Sequence, residues 1–258
     1  MLRYNHGMIE RKWRETWQQG QRVDQESAQV CTVPVPGDSG ELGMENARLL
    51  VLTDFFSSVQ LGKKAPISIL GAKESWLKDT NKLGLVALNG AINGEYDLAV
   101  IPRDYAAAFG KLEARDTFIC GRLLQSGSMR DLLPDFGADA LRIYFLYMGP
   151  PARDYVFQWH GLASAYRFLS RFWELGYESV GDPGCELSET TCLLDLRVQV
   201  RRRILQRKPH TALAAIMGYI KGRSILTRTE VRVIATLLQP FTPFLSTELL
   251  QLMATIKN

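Results

Sequence analysis

Two apolar stretches at helical spacing, separated by Gly149-Pro150-Pro151, constrain the folding of this chain more than any other feature. Proline removes a backbone donor and clashes inside a helix, so the segment from Phe136 to Trp173 must form two helices rather than one. In the second half of the segment, apolar residues recur at the spacing of one helix face. These residues are Leu162, Ala165, Tyr166, Leu169, Phe172 and Trp173. We therefore predict two amphipathic helices that are each buried on one side.

The composition is that of an ordinary globular protein. The 258 residues are 46% hydrophobic and 22% charged, with a formal net charge of +4, which allows a large core and two domains. No signal-peptide pattern opens the chain and no apolar run reaches membrane-spanning length, so we expect a soluble, cytoplasmic protein. The four cysteines and the histidines His6, His160 and His210 lack metal-ligand spacing. We therefore expect free thiols, no metal site and no cofactor.

The first half of the chain alternates between β-type and helical patterns. An amphipathic helix at residues 4–19 is followed by apolar β-runs, a Gly-rich turn and a second helix at about Met44–Val59. The β-runs are Val30–Val35, Pro66–Leu70, Leu83–Leu88 and Leu98–Pro102. Strand, Gly-rich turn, helix and strand is typical of a doubly wound α/β domain, so we predict a parallel sheet over residues 28–135. Ligands of such sheets bind at the carboxyl ends of the strands.

The second half is predicted to be helical and carries a strongly basic segment. A helix from about Thr190 to Gln206 is followed by a helix that ends near Gly222. The basic residues in and just after the first of these helices are Arg197, Arg201, Arg202, Arg203, Arg207 and Lys208. Clustered Arg and Lys side chains bind nucleic-acid phosphates independently of sequence. A solvated helix face is the alternative interpretation of such a charge run.

Ordered motifs along the chain resemble leucyl-tRNA synthetases. The central segment matches the family's junction between its catalytic and anticodon-binding domains, and both ends of the chain match family motifs as well. The matching residues are Tyr4-Asn5-His6, Gly137-Ala138-Asp139, Leu141-Arg142, Met148-Gly149-Pro150, Arg167-Phe168-Leu169, Arg171, Trp173, Pro240-Phe241 and Pro243. The resemblance implies an α/β fold with two domains. Residues 1–150 are expected to form a Rossmann-like class I synthetase core, and residues 151–258 an all-α bundle like the anticodon-binding domain.

The resemblance also locates the places where class I synthetases bind ATP and activate the amino acid, and the family's residues are missing there. The histidines of the HIGH motif and the lysines of the KMSKS loop, which falls on residues 118–122, are absent. The changed positions include Gly43, Asn46, Lys73, Phe118 and Arg122, and Glu45 places negative charge where phosphates approach. Fewer than about thirty residues separate the halves of the α/β domain, too few for an editing domain. The resemblance therefore implies a degenerate, truncated paralogue that does not activate leucine.

The preferred function of such a paralogue is an aminoacyl-tRNA-dependent transferase. It uses aminoacyl-tRNA, above all leucyl-tRNA, as acyl donor in an amide-forming or acyl-transfer step of a biosynthetic pathway, by analogy with cyclodipeptide synthases. Ser39 is the candidate nucleophile, and Asp104 and Tyr105 are candidates for acid–base chemistry or for binding an amino group. The alternative for Ser39 is that it only stabilises the turn, because leucyl-tRNA synthetases themselves have a serine at this position. The alternative for Asp104 and Tyr105 is that they only line the crevice.

Two further functions need no chemistry. One is a tRNA-binding or regulatory module that uses the basic helix. The other is an interaction protein that has abandoned tRNA and serves as a scaffold, either as a homodimer or as a subunit that binds a biosynthetic enzyme. An open, aminoacyl-sized pocket beside Ser39 favours the enzyme, whereas a crevice filled by Met44, Phe118 and their neighbours favours the scaffold.

Overall fold

The computed structural model describes most of the chain. The described residues are 3–20, 30–35, 41–61, 66–91, 94–107, 112–125, 128–180 and 190–255.

A five-stranded parallel sheet forms the centre of the described α/β part. Its strands are β1 (Val30–Thr32), β2 (Ile67–Leu70), β3 (Ala87–Gly90), β4 (Tyr96–Pro102) and β5 (Ala114–Cys120). Their order across the sheet is β3-β2-β1-β4-β5, and each neighbouring pair is parallel. The strand order reverses beside β1, which confirms the predicted doubly wound α/β fold.

β1 ends at Thr32 and not at the predicted Val35, and two other strands differ more from the prediction. The run predicted at Leu83–Leu88 becomes a strand only from Ala87, because Leu83 and Gly84 form a turn in which Gly84 has φ +72°. The sequence pattern did not predict β5 at all. This strand lies at the edge of the sheet and carries Arg115 and Asp116 in its first half, since edge strands tolerate charged residues. A search for apolar runs therefore misses it.

Helices make up most of the remaining described chain. They are α1 (His6–Gly20), α2 (Met44–Leu61), α3 (Glu74–Lys82), α4 (Met129–Tyr147), α5 (Trp159–Val180), α6 (Thr191–Leu205), α7 (Pro209–Ile220), α8 (Arg228–Leu238) and α9 (Pro243–Thr255). A short parallel ribbon pairs β6 (Leu123–Leu124) with β7 (Tyr155–Val156), and a 3-10 turn, Arg103–Tyr105, follows β4. The predicted Gly-Pro-Pro break separates α4 from α5, and the two helices predicted after residue 190 are α6 and α7.

α4 begins well before the predicted segment and bends at Gly137. This glycine has φ +77° and ψ 168°, which lie outside the helical range. Glu10 of α1 fills the bend, because its Oε1 accepts a hydrogen bond from the N–H of Ala138 at 2.6 Å. A Cβ on residue 137 would lie 2.6 Å from the same oxygen, so glycine is required here.

A buried ion pair connects the sheet region with the C-terminal helices. Arg142 of α4 donates to the carboxylate of Asp54 in α2 at 2.7 Å, and both side chains are buried. The same guanidinium donates to the carbonyl oxygens of Leu83, Pro240 and Phe241. One apolar cluster continues from α1 and α2 through α5 to α9. The predicted domain boundary stays a prediction, and the regions on either side of it share this core.

Candidate functional site

Three segments meet at the carboxyl edge of the sheet. α2 follows β1, the 3-10 turn follows β4, and Arg122 follows β5. Because the strands are parallel, these segments lie at one edge, beside the point where the strand order reverses. This is the edge at which doubly wound sheets bind their ligands. It is also where the sequence places most of the changed synthetase motifs.

Arg122 is held between two carboxylates at this edge. Its Nε and Nη2 donate to the carboxylate of Glu45, with a distance of 3.0 Å from Nη2 to Oε2. Its Nη1 donates to Oδ2 of Asp104 at 2.5 Å. The hydrogen bonds to Glu45, and after them those to Asp104, raise the pKa of the Arg122 guanidinium above its usual value. The protein's own acids therefore neutralise this arginine.

A third acid and a second arginine extend the network. The backbone N–H of Arg122 donates to Oδ1 of Asp154 at 2.8 Å, and Nη1 of Arg103 lies 3.4 Å from Oδ2 of the same carboxylate. The side chains of Arg103 and Asp154 are about half exposed, so their ion pair contributes little stability by itself. We call the set Glu45, Arg103, Asp104, Arg122 and Asp154 the sheet-edge network.

Glu45 lies where a phosphate would otherwise be attracted. It is in the first turn of α2, and the unpaired N–H groups and the dipole of a helix N-terminus favour anions there. Its carboxylate satisfies that preference from within the protein and repels an incoming phosphate. We therefore expect this edge to disfavour ATP.

Arg48 is a buried residue at this edge that the sequence analysis did not single out. Its Nη1 and Nη2 donate to the carbonyl oxygens of Gly121 and Pro151 at 2.6 and 3.2 Å, and its guanidinium carbon lies 5.6 Å from the centroid of the Tyr155 ring. Burial lowers the pKa of Arg48, and the carbonyls and the ring stabilise the cation. Because Gly121 precedes Arg122, Arg48 fixes the strand end from which the Arg122 side chain extends. The signal in the sequence was a single arginine within an apolar stretch of helix.

The other changed motif positions have structural contacts. Asn46 is buried and forms two hydrogen bonds with the backbone of Val35, accepting from its N–H at 2.8 Å and donating to its carbonyl at 3.1 Å. The carbonyl of Gly43 accepts a backbone hydrogen bond from α2. The Nζ of Lys73 lies 5.6 Å from the ring centroid of Trp76. These contacts position the start of α2 and α3.

Phe118 lies in a strand, and its prediction as part of a loop was wrong. Residues 118–120 are the last residues of β5, paired with the end of β4 in a register that joins Phe118 to Val100. The ring of Phe118 lies 4.7 Å from the Phe56 ring centroid. Pairing with β4 extends β5 through the region where the KMSKS loop was expected, so only residues 121 and 122 leave the strand.

Of the candidate catalytic residues, Asp104 and Tyr105 lie in the same 3-10 turn and have different surroundings. Ser39 lies outside the described residues, and its role as nucleophile stays a prediction. Asp104 is exposed and paired with Arg122, whereas Tyr105 is half-buried against the apolar cluster that contains Ile101. The Asp104 carboxylate is already bound to Arg122, and its role in acid–base chemistry or in binding an amino group stays a prediction.

The crevice between the sheet and α2 is filled at the described residues. The hydroxyl of Thr32 donates to the carbonyl of Val100 at 2.7 Å and so bridges β1 and β4. The gap beside it has no room for a water molecule and is lined by Thr32, Pro34, Asn46, Leu49, Leu50, Ile69 and Trp76. Met44 is buried, and Phe118 packs against the core. The part of the crevice beside Ser39 lies outside the described residues, so the choice between an enzyme and a scaffold stays a prediction.

Two of the basic residues predicted to bind tRNA make structural contacts. Arg203 donates to the carbonyl of Thr211 at 2.7 Å. Arg207, just beyond α6, pairs with Asp116 of β5 and lies over the Phe118 ring, 5.7 Å from its centroid. These contacts hold the end of α6 against α7 and the sheet, so neither side chain is free for a phosphate.

The other basic residues of this group face solvent. Arg201, Arg202 and Lys208 are exposed, and no acidic side chain of the described chain pairs with them. Arg197 is half-buried and has a contact of its own. Unpaired cations are therefore concentrated towards the C-terminal end of α6.

Neither a metal centre nor a reactive buried thiol is found in the described parts of the chain. No cluster of three or more His, Cys, Asp or Glu side chains is arranged to hold a metal ion there. Burial raises the pKa of the Cys31 thiol to about 12 and that of Cys120 to about 11, which makes both poor nucleophiles. None of the described helices is both long and apolar enough to span a membrane.

The sequence is similar to those of leucine–tRNA ligases. It is 29% identical over 149 residues to the leucine–tRNA ligase of Nitratidesulfovibrio vulgaris (strain DP4), a match that covers 46% of this chain and 18% of the ligase. The leucine–tRNA ligase of Lawsonia intracellularis is 26% identical over 189 residues, which cover 59% of this chain and 22% of that one. This chain is therefore similar to leucine–tRNA ligases over part of its length. It spans about one fifth of the length of these relatives. No family model matches it.

A solved structure shares the fold of this synthetase-like chain. The ternary complex of Agrobacterium radiobacter K84 LeuRS, tRNA and LeuAMS matches with a TM-score of 0.52 at 19% identity, over 62% of this chain and 28% of that one. The match agrees with the predicted Rossmann-like α/β core followed by helices. The loss of the activation motifs stays a prediction that rests on the residues at those positions.

Proposed function

We propose that this synthetase-like chain binds tRNA through the exposed basic side chains of α6 and of the turn that follows it, and does not activate leucine. The observation that carries the proposal is the set of unpaired cations Arg201, Arg202 and Lys208 on the described surface. Unpaired Arg and Lys side chains bind phosphates and release counterions, which gives affinity without sequence readout. The similarity to leucine–tRNA ligases makes tRNA the nucleic acid to test.

The absence of leucine activation is inferred from the sheet edge. Glu45 lies where ATP phosphates would approach, and Arg122 is already neutralised by Glu45 and Asp104. Removing one donor that stabilises a transition-state charge typically costs about 2.7–4 kcal/mol, and several such donors are missing here. Leucine-dependent exchange between ATP and pyrophosphate is therefore expected to stay at background. Measurable exchange would overturn this part of the proposal.

A titration with charged and deacylated tRNA pools at two salt concentrations tests the binding. Affinity should fall steeply as salt rises, because each phosphate contact releases counterions. The variant R201Q/R202Q/K208Q should bind about ten-fold more weakly or worse, and the slope of log K against log salt should fall by about 2–3. The control R11Q/K78Q/R115Q removes the same number of positive charges from other surfaces and should bind like the unchanged protein.

The outcomes separate the candidate functions. Equal binding of charged and deacylated tRNA supports a binding module. A clear preference for leucyl-tRNA would favour the acyl-transfer function instead and make Ser39→Ala the next variant. Equal weakening by the control variant would show that net charge, not α6, drives binding. No binding at low salt would overturn the proposal and leave the scaffold function.

A further inference from the structure

The outer face of α6 carries exposed apolar side chains between its arginines. Leu194, Val198 and Leu205 are 46%, 68% and 75% exposed. Their spacing of four and seven residues places them in one line along the helix. The opposite face packs into the core through Leu193, Leu196 and Val200. α6 is therefore apolar on two sides, and the described chain covers only one of them.

A line of this kind indicates a docking face. Exposed apolar residues scattered singly are ordinary on protein surfaces, whereas aligned ones mark interaction sites. Burial of these aliphatic side chains against a partner would be favourable, because it removes apolar surface from water. The line from Leu194 to Leu205 is about 16 Å long, which is the span over which an amphipathic helix presents anchors at positions i, i+4, i+7 and i+11.

Positive charges surround this line. Arg201 lies within it, between Val198 and Leu205, while Arg197 and Arg202 lie on its two sides. The only acid in α6 is Asp195. A phosphate backbone would neutralise the arginines but leave the aliphatic side chains in water. An amphipathic helix with acidic flanks would satisfy both kinds of side chain.

We propose that the α6 outer face, defined by Leu194, Val198, Arg201, Arg202 and Leu205, docks an acidic amphipathic helix of a partner protein. Aliphatic side chains of the partner pack on the apolar line, and its carboxylates pair with the arginines. A second copy of this chain is a poorer occupant. A symmetric pairing of two α6 helices would bring two sets of arginines together with a single acid from each copy.

This proposal goes beyond tRNA binding and can fail independently of it. Arg201 and Arg202 serve both ligands, whereas Val198 and Leu205 serve only the partner helix. The two ligands therefore compete for the α6 outer face. The variant V198S/L205S removes the apolar contacts but keeps every charge, so it separates the two interactions.

The test uses a synthetic helical peptide as the probe. A fluorescein-labelled peptide of about 18 residues, with leucines along one face and glutamates on both flanks, is titrated into the full chain and followed by anisotropy. We expect a micromolar Kd, and binding about ten-fold weaker or worse for V198S/L205S, with tRNA binding by that variant unchanged. A control peptide with lysine in place of each glutamate should also bind about ten-fold more weakly or worse.

Several results would overturn the proposal. V198S/L205S should first give the circular dichroism and thermal unfolding of the unchanged protein, because both residues are exposed. No peptide binding, equal binding of the acidic and basic peptides, or acidic-peptide binding that survives V198S/L205S would each rule out this docking surface while leaving tRNA binding untouched. If the unchanged protein dimerises and V198S/L205S does not, the occupant of the α6 outer face is a second copy of this chain and not a partner protein. Loss of tRNA binding in the variant would assign the whole face to tRNA.

Discussion

The arginines of the sheet-edge network and those of the α6 outer face carry the same charge in opposite surroundings. Arg122 lies between Glu45 and Asp104, whereas Arg201 and Arg202 face solvent beside exposed aliphatic side chains. A cation paired inside the molecule contributes to the fold but has little interaction energy left for a ligand. An unpaired cation keeps that energy for a partner. This difference supports our proposal that the binding surface lies on the helices and not at the edge where α/β sheets usually bind.

The largest expected effect comes from breaking a fully internal pair. Arg142→Leu removes the cation from Asp54 and leaves the carbonyl oxygens of Leu83, Pro240 and Phe241 without their donor. We expect the free energy of unfolding to fall by about 3–5 kcal/mol, because a buried carboxylate is left unpaired. Chemical denaturation measures this loss. Arg142→Leu combined with Asp54→Leu should recover part of it, and a loss below about 1 kcal/mol would contradict the role given to the pair.

The next largest effect is a pH dependence of the free energy of unfolding, and it comes from the buried acid Glu10. Arg14 lies 3.6 Å from the Glu10 carboxylate and offsets the cost of burying its negative charge only in part. Burial, and after it the negative charge of Asp139, raises the pKa of Glu10 to about 8. The folded state therefore favours the protonated acid. This contribution to stability is complete below pH 4.5 and is lost as pH rises through about 8, with a total on the order of 4–5 kcal/mol.

Glu10→Gln tests this pH dependence, because the amide oxygen can still accept from Ala138 and cannot ionise. We expect the free energy of unfolding to become nearly independent of pH between pH 5 and 8. Urea denaturation at several pH values measures the slope. The control Glu15→Gln, on the exposed side of α1, should keep the slope of the unchanged protein. An unchanged slope in Glu10→Gln would show that another group titrates.

A smaller effect is expected in the sheet-edge network. Glu45→Gln removes the main carboxylate that binds Arg122, in a pair whose side chains are 21% and 25% exposed. We expect a loss of about 1 kcal/mol at low salt and less at high salt, because solvent and ions screen part-exposed pairs. Thermal unfolding at both salt concentrations measures it. Glu41→Gln, which breaks the more exposed pair with Arg130, should change stability less. A stabilised Glu45→Gln variant would show that the network does not hold the edge together.

The smallest effect on stability is expected on α6. Arg201→Gln with Arg202→Gln should change the free energy of unfolding by less than about 0.5 kcal/mol, because neither side chain has an acidic partner in the described chain. The same substitutions should reduce the salt slope of tRNA binding by about 2. Parallel denaturation and binding titrations measure both quantities. A large loss of stability would show that Arg201 and Arg202 stabilise the fold, as Arg122 and Arg142 do, and would contradict the difference between the two groups of arginines.

The sequence predicted elements that depend on local pattern. The Gly149-Pro150-Pro151 break, the doubly wound start of the sheet and the helices after residue 190 each follow from periodicity and from residues that end helices. β5 was not predicted because Arg115 and Asp116 interrupt the apolar pattern by which the other strands were found. Phe118 was misplaced for the same reason, since a strand that was not predicted was read as a loop.

The candidate site was predicted less well because its contacts join distant parts of the chain. Glu45 and Arg122 are 77 residues apart, and nothing in the local pattern links them. Arg122 and Asp104 were both singled out, but for separate reasons and not as partners. The apolar line on α6 was visible in the spacing of its aliphatic residues. The charge run was the stronger pattern and led to an interpretation by charge alone.

The hydrogen bonds of Arg142 join segments that the ribosome synthesises at very different times. A ribosome makes α4 long before Pro240 and Phe241, whose carbonyl oxygens are two acceptors of this guanidinium. We therefore expect Arg142 to lack two of its hydrogen-bond acceptors in a nascent chain that has emerged only as far as α5. Such an intermediate suits chaperone binding more than autonomous folding. We expect the hydrogen bonds of Arg142 to be complete only after Pro240 and Phe241 have been synthesised.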